Sequence, residues 1–150
     1  MPITEGPLAD ILVADFSRVL AGPLATMTLA DLGARVIKVE RPDVGDDTRS
    51  WGPPFSATGS TYFDSVNRNK ESVCLDLTEP GDVTLARELI ARADVVVENF
   101  KPGGMEKLGL GYEGWPRTRA SCTSRSPVSA APTGVICSDT TSSCRRSVGS

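Results

Sequence analysis

The chain has 150 residues, of which 39% are hydrophobic, and a formal net charge of −3. This length suffices for one domain with a core, and an acidic balance without any basic run argues against a nucleic-acid partner. The four cysteines form no C-x-x-C pair and histidine is absent, so the sequence predicts no metal site. We find neither an apolar run of transmembrane length nor a signal peptide, and therefore expect a cytoplasmic protein without a membrane partner.

Residues 11–41 predict a β-strand, an α-helix and a second β-strand. The near-continuous apolar run at 11–14 is typical of a parallel strand that is covered on both faces. Pro23 suits the first turn of the helix, and Gly33 supplies a left-handed stop after it. The second strand covers residues 36–39. The apolar face of the helix is expected to carry Leu24, Met27 and Ala30.

A ligand of such a unit binds outside the carboxyl ends of the strands, over the helix N-terminus. We therefore expect residues 18–23 on one side of a crevice, with Glu40 and Arg41 on the other. An acid at this position holds a ribose hydroxyl, and an arginine holds a ribose phosphate. The first loop lacks G-x-G-x-x-G, which disfavours a nicotinamide cofactor. A helix start without any ligand stays the alternative.

A long polar loop separates this unit from a second one. Glycines and prolines at residues 42–60 predict no regular element there. A loop of this length is either functional, with Arg49 reaching an anion, or a solvated connector with Trp51 as its hydrophobic anchor. Cys74, without a partner, is predicted to be a small buried side chain. The elements expected after the loop are a short helix or turn at 62–67, a strand at 72–77, a helix from Pro80 to about Ala93 that starts with a capping hydroxyl at Thr78, a strand at 95–97 and a short helix after 101–104.

No strand is expected after Glu113, where the composition changes. Residues 1–113 contain 18 acidic and 11 basic residues, a net charge of −7, whereas residues 114–150 contain one acidic and five basic residues, a net charge of +4. The last 37 residues have no leucine but nine serines and five threonines. Such a segment cannot bury enough apolar surface to offset its ordering entropy. The sequence thus predicts a truncated Rossmann-like α/β domain with a partial parallel sheet at 1–113 and a disordered, low-complexity tail at 114–150.

Four blocks of the body, in this order, resemble the start of the family III CoA-transferases. They are ADFSRVLAGPLATMTLADLGARVIKVERP, GDDTRSWGPPF, YF-x-SVNRNK-x-SV-x-LDL and ADVVVENFKPG-x-MEKLGLGYE. The family includes formyl-CoA and succinyl-CoA-dependent transferases and the related α-methylacyl-CoA racemases. The resemblance covers roughly residues 8–113 and implies the first part of a large CoA-binding domain.

The resemblance implies coenzyme A, as an acyl-CoA substrate, and a small carboxylic acid acceptor. Full-length members form interlocked homodimers, an assembly that we do not extend to this fragment. Arg41 is implied as the partner of the ribose 3′-phosphate of CoA. Thr78 stands where some members have lysine. The other implied site residues are Val19 and Leu20 at the adenine, Leu75 as apolar wall, Asn99 and Phe100 around the pantetheine, and Lys107 at the phosphates.

The sequence assigns no catalytic residue to this chain. Family transferases attack the acyl-CoA carbonyl with an aspartate of a Gly-Tyr-Asp block, and the resulting anhydride is reopened by CoA thiolate. This chain lacks such a block, and Asp139 in the tail has no supporting fold. We therefore expect the chain to be inactive alone, and its interrupted sheet to aggregate or to depend on a full-length partner. GDDTRSWGPPF and NRNK favour transferase ancestry, with a racemase-type fragment and a non-enzymatic CoA-binding remnant or pseudogene product as alternatives.

The tail suggests a hypothesis: the residues after Gly114 are family sequence translated in the wrong frame. A reading one base earlier moves the first base of each codon to the middle of a new codon. Serine and cysteine codons then encode apolar residues, because thymine in the middle does so. With permissible codons, VICSDTTSSCRRSVG becomes HLLGYDLLVQAVGG, and the nucleophile codon spans Thr140 and Thr141. A genuine Ser/Thr-rich linker is the alternative.

Sequencing of the coding DNA tests this hypothesis. We expect an open reading frame, one base earlier than the present frame after Gly114, that passes through a Gly-Tyr-Asp block. A stop codon in that frame, or the absence of the block, would refute the frameshift and favour the linker.

Overall fold

The computed structural model of the protein describes residues 5–115 and 120–123. In this part of the chain five parallel strands form one sheet, in the order β5-β2-β1-β6-β7. The strands are β1 (Leu12–Asp15), β2 (Arg35–Glu40), β3 (Phe55–Ser56), β4 (Gly59–Ser60), β5 (Glu71–Cys74), β6 (Val95–Glu98) and β7 (Ala120–Thr123), of which β3 and β4 form a separate antiparallel pair. The helices are α1 (Ala21–Asp31), α2 (Thr61–Asn67), α3 (Pro80–Arg92) and α4 (Gly104–Lys107), with 3₁₀ turns at Asp47–Ser50 and Tyr112–Gly114.

The central strand β1 is buried on both of its faces, as its apolar run predicts. Val13 packs with Ala30 of α1 in one cluster of buried side chains. Ala14, whose side chain points to the opposite face, packs with Ala86 and Ile90 of α3 in a second cluster. The predicted parallel α/β sheet with helices on both faces is therefore confirmed.

Helix α1 starts and ends as predicted, but its buried face is shifted. Pro23 lies in the first turn, and Gly33 follows the helix with a φ of +99°. Met27 and Ala30 are buried, whereas Leu24 is 44% exposed and Thr26 takes its place in the interior. A step of three residues falls about 60° short of a full helical turn, so an i, i+3 series drifts off the buried face.

The prediction that residues 42–60 contain no regular element is wrong. A 3₁₀ turn at Asp47–Ser50 begins where the Asp46 carboxylate accepts a hydrogen bond from the backbone N–H of Thr48. Trp51 is exposed and contacts the Tyr62 ring, at 5.1 Å between centroids, rather than anchoring the loop in the core. Buried polar side chains, and not the aromatic residue, hold this loop.

Two predictions around β5 are also wrong. Cys74 is exposed, because β5 lies at the edge of the sheet and only the face of Val73 and Leu75 packs against the core. Thr78 does not cap α3: its hydroxyl donates to the Asp76 carboxylate at 2.6 Å, and the helix starts with Pro80 instead.

A strand does follow Glu113, contrary to expectation. β7 pairs with β6 in parallel, from Val95 opposite Ala120 to Glu98 opposite Thr123. A ladder of backbone hydrogen bonds requires no apolar pattern, so composition gave no signal for it. The other residues predicted to form a disordered tail, with Thr140 and Thr141, lie outside the described residues. Within the described ranges, no helix has the length and apolar character to cross a membrane.

Replacement of Gly22 tests how closely α1 packs on the end of β1. A Cβ at this position would overlap the Cβ and Oγ of Ser17, a fully buried residue. We expect Gly22→Ala to lower the free energy of unfolding by about 1–3 kcal/mol, measured by denaturant titration of the full chain. Gly81→Ala is the matched control: it adds the same atom to helix α3 where no heavy atom lies within 4 Å, and should be neutral or stabilising. Equal effects of the two changes would contradict the packing argument.

Candidate functional site

A cavity of about 190 Å³ opens at the carboxyl ends of the strands. β1 has β2 on one side and β6 on the other, so the chain reverses its direction across the sheet at this strand. Such a switch point is where open α/β sheets form a ligand crevice. Six apolar side chains line the cavity: Phe16, Val39, Leu75, Leu77, Phe100 and Leu108.

Two arginines add positive charge to the cavity wall. Arg18 follows β1, and its guanidinium carbon lies 5.0 Å from the centroid of the Phe100 ring, which is a cation–π contact. Arg41 follows β2, is half-exposed, and contacts the Asp47 carboxylate. Guanidinium groups beside an apolar wall suit a ligand that combines anionic groups with a flat apolar part.

A buried ion pair holds the base of the cavity. Lys38 of β2 lies 3.0 Å from the Asp46 carboxylate, and both side chains are at most 1% exposed. The Lys38 ammonium also donates to the backbone oxygen of Ser17 at 2.8 Å. Burial by itself raises the pKa of Asp46, but hydrogen bonds from Thr48 and the charge of Lys38 outweigh it, so the pKa is lowered. Asp46 is therefore ionised, and its ion pair with Lys38 fixes the long loop to the sheet.

A second buried pair lies at the end of β1. Lys70 is 3.1 Å from the Asp15 carboxylate, which also accepts hydrogen bonds from the hydroxyls of Ser17 and Thr26. The Lys70 ammonium donates to the backbone oxygen of Pro23 at 2.8 Å. Burial lowers the pKa of Lys70 to about 8, although the nearby Asp15 charge opposes this shift. The start of α1 is thus tied to the residues before β5.

Glu40, at the end of β2, is held by the chain itself. Its carboxylate accepts hydrogen bonds from Arg49 at 2.6 Å through both oxygens, from the Ser72 hydroxyl at 2.6 Å and from the Asp46 backbone N–H at 2.9 Å. Burial by itself raises the pKa of Glu40, but these hydrogen bonds and the Arg49 charge lower it to about 2. Arg49, expected to reach an anion, pairs with this internal carboxylate and lies over the Phe63 ring.

The structure brings some of the residues implied by resemblance together and leaves others apart. Arg41, Leu75 and Phe100 line the cavity, as do Arg18 and Thr78. The remaining four do not line it: Val19 donates its backbone N–H to Asp46, Asn99 hydrogen-bonds the backbone of Arg18, Leu20 is 45% exposed, and Lys107 is exposed at the end of α4.

Sequence reasoning missed the buried charges beneath the cavity. A lysine inside the apolar strand VIKVE was the available signal for Lys38, because a charged residue in such a strand requires a partner. Asp15 at the end of β1 was a similar signal. Their partners, Asp46 and Lys70, are far away in sequence, and only the fold identifies them.

These features define a class: a doubly wound α/β domain with a crevice at its switch point and positive charge beside an apolar wall. The model of CoA-transferase family III matches residues 8–119, about three quarters of the chain. The chain belongs to this family.

Relatives and solved structures agree with the family match. The chain is 60% identical over 107 residues to succinyl-CoA:glutarate CoA-transferase of Mus musculus, covering 71% of this chain and 24% of the relative. It is 50% identical over 109 residues to acetyl-CoA:oxalate CoA-transferase of Acetobacter aceti, covering 73% and 28%. A CAIB/BAIF family protein from Brucella suis superposes with a TM-score of 0.75 at 46% identity, over 79% of this chain and 33% of that one. The chain thus spans about a quarter of the length of these curated relatives.

Acid titration tests the contribution of Glu40. Its pKa is lower in the folded chain than the usual 4.5, so its stabilising effect is complete above that pH and is lost as the pH falls towards about 2. In the unchanged chain, protonation of Glu40 should lower the free energy of unfolding by on the order of 3 kcal/mol as the pH falls through this range. We expect this decrease to be absent in Glu40→Gln.

Glu71→Gln is the control for this titration. Glu71 forms a comparable bidentate contact with Arg35, at 2.8 and 2.9 Å, but its side chain is 39% exposed whereas that of Glu40 is 2% exposed. Solvent screens an exposed pair, so the control should change the pH dependence much less. An unchanged acid profile for Glu40→Gln would contradict the assignment.

Proposed function

We propose that this chain forms the binding site for the nucleotide half of coenzyme A in a CoA-transferase. The observation that carries the proposal is the cavity at the switch point, where Arg18 and Arg41 stand beside a wall of apolar side chains. Coenzyme A combines a ribose phosphate and a diphosphate with a flat adenine, which matches that combination of charge and apolar surface. The names of the two curated relatives given above, both CoA-transferases, support the same conclusion.

In this proposal Arg41 binds the ribose 3′-phosphate. Its guanidinium is half-exposed and its contacts with Asp47 and with the Gly45 backbone oxygen, at 3.4 Å, are made at the surface, where an incoming phosphate can replace them. Glu40 is excluded as a partner of the ribose hydroxyls, because Arg49, Ser72 and a backbone N–H occupy its carboxylate.

Apolar side chains would take the rest of the ligand. Leu75 and Phe100 line the cavity and supply surface for the adenine and the pantetheine, respectively. Val19 and Leu20 precede α1 and do not line the cavity, so in this proposal they contact an adenine that extends beyond it. Lys107 is exposed at the end of α4. It would contact the phosphates of coenzyme A if the diphosphate lies along that helix.

The whole reaction extends beyond the site described here. For full-length members of the family we propose transfer of CoA from an acyl-CoA donor to a small carboxylic acid through an aspartyl anhydride, in an interlocked homodimer and in the cytoplasm. No residue of this chain is assigned the nucleophilic role. The chain is accordingly proposed to bind the coenzyme and not to complete the transfer by itself.

A comparison of two ligands tests the role of Arg41. We expect Arg41→Ala to weaken the binding of coenzyme A to the full chain about tenfold or more, measured by isothermal titration calorimetry, because a charge-assisted contact is lost. The same substitution should change the affinity for 3′-dephospho-CoA by about threefold or less, because that ligand lacks the phosphate.

Arg35→Ala is the matched control, since Arg35 is at the opposite end of β2 and pairs with Glu71 in a similar surface contact. This variant should bind both ligands like the unchanged chain. If the unchanged, folded chain binds no coenzyme A, the proposed function is wrong. If Arg41→Ala weakens both ligands equally, the assignment of Arg41 to the 3′-phosphate is wrong.

A further inference from the structure

The turn between β1 and α1 has a backbone conformation that its sequence disfavours. Val19 has a φ of +71°, in the left-handed region, which a β-branched residue rarely adopts. Glycine, or asparagine less well, would fit this position without strain. A valine in this conformation persists only where surrounding groups hold it, and such positions are concentrated at functional sites.

Asn99 holds the residue before Val19 by both polar atoms of its side chain. Its Oδ1 accepts a hydrogen bond from the backbone N–H of Arg18 at 2.9 Å, and its Nδ2 donates to the backbone oxygen of Arg18 at 2.6 Å. Asn99 directly follows β6 and Arg18 lies just after β1, so the two hydrogen bonds join the loops of neighbouring strands across the switch point.

Asp46, from a different loop, holds Val19 itself. Its two carboxylate oxygens are 3.4 and 3.3 Å from the backbone nitrogen of Val19, which donates to them. The carboxylate is fixed in turn by Lys38 and by the hydroxyl and backbone N–H of Thr48. The strained peptide is therefore clamped between side chains from two separate loops.

The clamp determines where the Arg18 guanidinium lies. With its backbone fixed on both sides, Arg18 extends over the Phe100 ring at the cavity wall. Phe100 follows Asn99 in the chain, so one short segment both holds the Arg18 backbone and receives its side chain. A guanidinium stacked in this way keeps its N–H donors at the edge of the group for an anion.

We propose that Asn99 is a positioning residue, which together with Asp46 holds the strained Arg18–Val19 turn in the geometry that binds coenzyme A. This inference rests on the proposed function and assigns to Asn99 a role through the Arg18 backbone rather than a direct contact with the ligand. The two roles differ in one measurable respect. A positioning role depends on the conformational strain at Val19, and a direct contact does not.

A double-mutant cycle between positions 99 and 19 separates these roles. We expect Asn99→Ala to weaken coenzyme A binding to the full chain about tenfold. In a Val19→Gly background the additional loss from Asn99→Ala should fall to about threefold or less, because glycine adopts the positive φ without the clamp. A direct contact would give equal losses in the two backgrounds, and that result would overturn the inference.

Amide hydrogen exchange in the absence of ligand provides a second, independent measurement. Asn99→Ala should accelerate exchange at the Arg18 amide, which loses its acceptor, and Asn69→Ala serves as the matched control. Asn69 also has a positive φ and a side-chain hydrogen bond, 2.9 Å to Asp31, but it lies outside the cavity. The control should leave both the Arg18 amide and the affinity for coenzyme A unchanged.

Each combination of results decides the matter. Unchanged exchange at Arg18 in Asn99→Ala shows that no clamp operates and overturns the inference, whatever the affinities are. Binding by the unchanged chain, with equal losses from Asn99→Ala in both backgrounds, overturns the positioning role but leaves the proposed function intact. If the unchanged chain does not bind coenzyme A, the proposed function is wrong, and so is the claim that the clamp serves coenzyme binding. The exchange measurement still decides whether the clamp exists.

Discussion

The ion pair between Lys38 and Asp46 is the constraint on which the rest of this site depends. Both side chains are withdrawn from water, and neither charge is tolerable there without the other. Because Lys38 belongs to the sheet and Asp46 to the long loop, their pairing fixes one wall of the cavity against the strands. The Asp46 carboxylate also accepts the Val19 N–H, so the same interaction reaches the start of α1. A single buried carboxylate thus connects the loops that follow β1 and β2.

The charged groups of the site divide into buried ion pairs and accessible arginines. Two pairs of buried charges lie inside the protein, Lys38 with Asp46 and Lys70 with Asp15. The Arg18 guanidinium, by contrast, has an aromatic ring beneath it, and Arg41 has a surface contact that solvent screens. This division leaves the accessible positive charge at the cavity wall while the buried charges serve the framework. Accessible positive charge thus stands at the cavity wall although the net charge of the chain is negative.

The chain shares one region with the longer members of CoA-transferase family III. The relatives are several times longer, and the part that this chain shares with them is the sheet with its switch point and the loops around it. The walls of the crevice come from the end of β2, from the segments after β1, β2, β5 and β6, and from Leu108 after α4. The strained turn at Val19 is linked to this crevice through Asp46, which lines it and accepts the Val19 N–H.

The sequence by itself determined the elements whose signals are local. The apolar run of β1, Pro23 in the first turn of α1, Gly33 after it and the buried strand at 95–97 all follow from propensity and periodicity. Together they predict a parallel α/β sheet with a crevice at its carboxyl edge. Tertiary structure decided what depends on distant partners. Cys74 is exposed because β5 is an edge strand, β7 forms because backbone groups pair without any apolar pattern, and Asn99 contacts the Arg18 backbone because β1 and β6 are neighbours. Periodicity records which face of an element is buried, whereas the partner of a polar group is set by which chain segments the fold brings together, and that information is spread over residues far apart in the sequence.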